Sequence, residues 1–124
     1  MKAKKLLDII AALLLAVIGV IHLILMRGEY EEVAYMGILF GACFVGAIVA
    51  AVEIYRGSAW GWILGFFISA GSFVGYILSR TVGLPGMEIE AWLNPLGVAS
   101  LAMEVLYFVT VVQNAPWKRV LVKA

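Results

Sequence analysis

Four apolar stretches, each about as long as a membrane crossing, take up most of this 124-residue chain and leave it few ways to fold. They cover residues 6–26, 33–55, 59–79 and 95–113. A helix needs roughly 20 residues, at ~1.5 Å each, to cross a hydrocarbon layer about 30 Å thick. Backbone groups in lipid must find partners within their own segment, so segments of this length predict helices. Barrel strands would be half as long and would alternate polar with apolar residues. Composition points the same way: 65% of residues are hydrophobic and 14% are charged, with a mean hydropathy of +1.05. The 8 acidic and 9 basic residues cannot coat a water-soluble core of this size, which excludes a soluble globular domain. A net charge of +1 gives no basic surface for nucleic acid. No internal repeat or low-complexity segment divides the chain, so residues 1–124 read as one all-α transmembrane four-helix domain.

Lys2, Lys4 and Lys5 ahead of an apolar run also describe a secretory signal, but the run is span-length and no A-x-A cleavage pattern follows. An uncleaved first helix is expected. Lysine and arginine set the direction. The N-terminal tail, the second connector and the C-terminal tail hold Lys2, Lys4, Lys5, Arg56, Lys118, Arg119 and Lys123, against only Arg27 and Arg80 in the other two connectors. Both termini should therefore be cytoplasmic in a multi-pass protein of the cell membrane. Trp60, Trp62, Trp92 and Trp117 fall near the predicted helix ends, where interfacial aromatics belong.

Helices in lipid associate through close packing and polar contacts. Small residues at four-residue spacing, Gly37 with Gly41, Gly61 with Gly65, Gly71 with Gly75, and a stripe of Ala12, Ala16 and Gly19, are expected to let backbones approach within one compact bundle.

The informative residues are those that are costly at membrane depth. Glu104 lies at the middle of the fourth span, where a carboxylate costs on the order of 3 kcal/mol, so it must be protonated, paired or beside water. Gly97, Ser100 and Tyr107 share its helical face. His22 continues the small-residue stripe of the first helix, and Ser69, Ser72, Tyr76 and Ser79 line a face of the third, ending at Arg80. Depth and face together predict an outward-facing cluster of His22, Ser100 and Glu104, with Arg80 at the mouth and Tyr107 along the same stripe. The cluster has two readings. Glu104 either bonds a serine, tyrosine or histidine and fixes helix register, or it belongs to a pocket for a proton, an ion or a small ligand. Glu53, three residues before Arg56, reads as a surface pair, and Asp8 beside Lys4 and Lys5 reads as solvated.

Signals for catalysis and metals are weak. One histidine cannot supply two axial haem ligands, and Cys43 with scattered methionines matches no metal-ligand spacing. There is no C-x-x-C, no Walker loop and no G-x-S-x-G. No catalytic residue, metal ligand or cofactor is assigned; a histidine–methionine haem or a site shared across a dimer is left open.

The longest connector begins Ser79-Arg80-Thr81-Val82-Gly83-Leu84-Pro85-Gly86 and continues through Trp92 to Asn94-Pro95. Its glycines and prolines enforce turns, and Pro95 suits the first turn of a helix. Such an apolar segment either lies over the bundle mouth as a cap, through Pro85 and Trp92, or is a plain interfacial connector. With Ile21-His22-Leu23, Glu31-Glu32 ahead of Gly37-x-x-Phe40, and Ala102-Met103-Glu104, the S-R-T-V-G-L-P run resembles a family of small prokaryotic four-span integral membrane proteins. The resemblance implies the four-helix membrane fold, carries no activity with it, and singles out His22, Arg80 and Glu104. Small multidrug exporters share the size and span number but place an essential glutamate in the first span, where this chain has none.

The expectation for function is a non-enzymatic accessory or binding subunit. Its partners would be membrane lipids and either a larger membrane complex or a second copy of the chain. The alternatives are a proton- or ion-coupled transporter using His22 and Glu104, and a quinone-linked redox protein.

Overall fold

The structure is a computed structural model that describes residues 2–123, with side chains from 5 to 121. It is 84% helical, with no strand among the described residues. The helices are α1 (Lys2–Glu32), α2 (Ala34–Tyr55), α3 (Ala59–Arg80), α4 (Pro95–Asn114) and α5 (Pro116–Lys123). The first four are long and apolar enough to cross a membrane.

Helix boundaries differ from the hydropathy boundaries where polar residues still favour helix. The first span was expected to end at 26, but α1 runs on through the supposed connector to Glu32. Arg27 and Glu31 pair at i,i+4 across 3.1 Å on the surface of this last segment, and such pairs extend a helix beyond its apolar part. Only Val33, extended at φ −153°, separates α1 from α2. The turn after α2 is closed by Gly57 at φ +91°. There the Gly57 N–H donates to the Ile54 carbonyl and the Ser58 N–H to the Glu53 carbonyl, each at 2.9 Å, a pair of bonds that satisfies the orphan carbonyls of a helix end. As expected, Pro95 opens α4, where the Asn94 side chain accepts from the Gly97 N–H at 3.1 Å. The C-terminal stretch, read from sequence as a tail, instead forms α5 directly after Ala115 turns left-handed at φ 51°.

Close contacts fix the topology. Tyr30 meets Gly37, Met26 meets Gly41 and Gly19 meets Ala47, so α1 and α2 are an antiparallel hairpin. Gly46 against Ile68 and Gly61 against Ile54 make α2 and α3 antiparallel; Gly97 against Arg80 and Gly65 against Tyr107 do the same for α3 and α4. The result is an up-down-up-down bundle in which each of the four long helices packs on two of the others.

The tightest core, with Leu15, Ile18, Ile54, Trp62 and Tyr107, lies toward the end where α1 begins and α4 finishes. Asp8, expected to be solvated, is buried there and its Oδ1 accepts from the Trp62 indole N–H at 3.3 Å. The amphipathic indole reaches across to this buried carboxylate from the third helix. Glu53 and Arg56 pair at 3.7 Å near the surface, as read from their spacing. Large apolar side chains such as Leu13, Ile38, Phe67 and Val112 cover the outside of the bundle.

Candidate functional site

At the opposite end, where α1 and α3 finish and α2 and α4 begin, the helices surround a cavity of about 420 Å³. Two glycines of α3 line it. Gly71 and Gly75 of α3 have nothing within 4 Å of where a side chain would begin, and both are in the cavity wall. The expectation that this pair brings helices together is therefore corrected. Gly61, by contrast, does act in that way, with the Ile54 backbone nitrogen 2.7 Å from the same point.

His22, Arg80, Ser100 and Glu104 all line this cavity, together with Pro85. Glu104 is 2% exposed and its Oε2 accepts from the Ser100 hydroxyl at 2.9 Å. Donor and acceptor lie on the same helix, so the bond does not tie α4 to a neighbour. No other donor among the described residues reaches this carboxyl. The imidazole of His22 is held separately. Its Nδ1–H donates to the Ile18 carbonyl at 2.8 Å, which leaves Nε2 as the acceptor of the neutral ring. The Ser72 hydroxyl donates to Nε2 at 3.3 Å, and Cys43 Sγ lies 3.7 Å from the same hydroxyl. Phe40 sits against the ring at 4.9 Å between centroids.

Arg80 does not form an ion pair with Glu104. Its guanidinium lies over the Tyr76 ring, 3.8 Å from the centroid. It donates through Nε to the Ala91 carbonyl at 3.1 Å and through Nη1 to Ser79 Oγ at 2.7 Å. Gly97 makes room for this stack: a side chain there would meet the Tyr76 ring at 2.9 Å and Arg80 at 3.2 Å. Around the mouth, the carboxylates of Glu29, Glu32 and Glu90 lie within 4.8 Å of one another.

The long connector lies across this mouth. The Tyr35 hydroxyl donates to the Pro85 carbonyl, the Tyr76 hydroxyl to the Trp92 carbonyl, and the Glu90 N–H to the Ser79 carbonyl at 2.9 Å. Pro85 lines the cavity. Trp92 contributes its backbone and an edge-on contact with Tyr76, while its side chain stays half exposed.

Tyr107 is not part of the cluster. The structure places it in the far core, where its hydroxyl donates to the Trp62 carbonyl at 2.8 Å. It shares the face of Ser100 and Glu104, but three residues further along α4 carry it past the cavity floor. Sequence reasoning also missed Cys43, Phe40, Glu29 and Glu90. The first two had a usable signal, because Met36, Phe40 and Cys43 recur on one helical face. The two glutamates had none, since their approach depends on how the connector folds back.

The chain matches no family model, and no curated protein or solved structure matches it significantly.

Proposed function

We propose that the chain is a multi-pass protein of the cell membrane, with both termini cytoplasmic, that binds an amphipathic small molecule in the cavity at its outer end. It works as a binding or accessory subunit rather than as an enzyme. We also propose that it belongs with the small four-span proteins its S-R-T-V-G-L-P run resembles. The observation that carries the binding reading is Glu104. A buried carboxyl whose only hydrogen bond among the described residues comes from its own helix does not tie α4 to a neighbour through that bond, yet it faces a cavity large enough for a small molecule. A carboxyl kept only to fix helix register would bond across helices.

The native Cys43 lines the cavity and reports on it. In purified full-length protein, Gly71→Leu should slow labelling of Cys43 by a thiol reagent and remove any bound small molecule seen by native mass spectrometry. Unchanged labelling and unchanged adduct-free spectra in wild type and variant would overturn the reading.

A second reading is favoured by the presence of both His22 and Glu104 in the cavity wall: proton- or ion-coupled transport. It predicts flux in proteoliposomes that is abolished by His22→Ala and by Glu104→Gln.

A further inference from the structure

We infer that the molecule this cavity selects is a lipophilic organic cation, with a protonated or quaternary amine and an apolar body. The inference rests on the cavity being a ligand site and names the chemistry of its occupant.

Three carboxylates line the space, Glu29 and Glu90 at the mouth and Glu104 at depth, against one guanidinium. That guanidinium is held at the mouth: Arg80 lies over Tyr76, with Nε on the Ala91 carbonyl and Nη1 on Ser79. The imidazole of His22 is occupied at both nitrogens, by Ile18 and Ser72. The cavity therefore holds more carboxyl groups than cationic ones, and the second carboxyl oxygen of Glu104, which has no hydrogen-bond partner among the described residues, offers a cation a free acceptor at depth. An anionic headgroup entering past Glu29, Glu32 and Glu90 would also meet a concentrated negative field, which attracts cations instead.

The deep position makes the preference selective. Glu104 is 2% exposed, so water solvates it poorly. An ammonium brought within hydrogen-bond or ion-pair distance replaces that missing solvation, whereas a neutral alcohol replaces only part of it. Phe40 presents an aromatic ring along the same wall, and ring faces attract ammonium groups that have left water. The aliphatic lining, with Ile21, Leu25 and Leu39, suits an apolar body.

The test uses the full-length protein in nanodiscs of zwitterionic lipid and three probes with one tail: octyltrimethylammonium, octanol and octyl sulfate. Saturable binding is measured by equilibrium dialysis. The cation should bind about tenfold or more tightly than either other probe, the span of one charge-assisted contact. Glu104→Gln should abolish that preference and leave octanol binding intact, which also reports that the cavity has survived. Ser100→Ala keeps the carboxyl and should retain the preference. Equal binding of cation and octanol by wild type overturns the cation assignment while leaving a ligand cavity standing. Absence of saturable binding by all three overturns both. A preference that persists in Glu104→Gln overturns the role given to that residue.

Discussion

Ser69 is fully buried, and its hydroxyl is a buried side-chain oxygen without a hydrogen-bond partner among the described residues. Desolvating such a group costs about 1–3 kcal/mol, and an apolar replacement of similar shape avoids the cost. Ser69→Ala is expected to raise the thermal unfolding midpoint in detergent. The opposite sign is expected at Trp62. Replacing it with Phe removes the indole N–H that Asp8 accepts and should destabilise by about 1–3 kcal/mol in the same measurement. These two residues also mark how far residue identity carries. The depth of Glu104, His22 and Ser100 followed from hydropathy and helical face, and all three line one cavity. The burial of Asp8 did not follow, because its partner is 54 positions away in the chain. Nothing in local sequence shows which way an indole on a neighbouring helix will reach. Tyr107 went wrong for a related reason: a shared face fixes azimuth, while a difference of three residues shifts depth by ~4.5 Å.

Glycine pairs make the same point for helices. Gly61 with Gly65 and Gly71 with Gly75 are indistinguishable as sequence patterns, yet one pair seats helices together and the other keeps a wall clear. Their alanine variants should separate them. At Gly61 a side-chain carbon would stand 2.7 Å from the Ile54 nitrogen and 3.0 Å from the Ala50 carbonyl oxygen, neither of which can rotate away. Gly61→Ala is expected to lower stability by about 1–3 kcal/mol through overpacking. At Gly71 and Gly75 nothing is in the way, so Gly→Ala there should be neutral or stabilise by up to about 1 kcal/mol through helix propensity. Thermal melts of the single variants in one detergent check both. A different gain is expected at Ala115, which ends α4 at φ 51°. Ala115→Gly removes a left-handed strain of about 1 kcal/mol and should raise the melting midpoint slightly. Helix existence and approximate ends were legible from apolar length and from Pro95. The extension of α1 and the presence of α5 were not, because hydropathy measures transfer into lipid and is silent about polar helix.

For the whole molecule, the apolar lengths and the short connectors suffice to imply neighbouring antiparallel helices, and the contacts between them agree. The proposed orientation has its own check. A green fluorescent protein fused after Ala124 should fluoresce and an alkaline phosphatase fused there should be inactive, with the reverse pattern overturning it. What no pattern conveyed is that the bundle is well filled at one end and open at the other. Volume depends on the summed sizes of facing side chains from four helices. It also leaves part of the wall lightly covered. Leu39 of α2 and Phe67 of α3 line the cavity, and both are more than half exposed, at 51% and 67%, so neither is sealed behind other side chains. A solute dissolved among acyl chains would meet these two side chains directly. The surrounding bilayer would then serve as its reservoir, and at fixed total solute, adding lipid vesicles should dilute the occupant and weaken apparent binding.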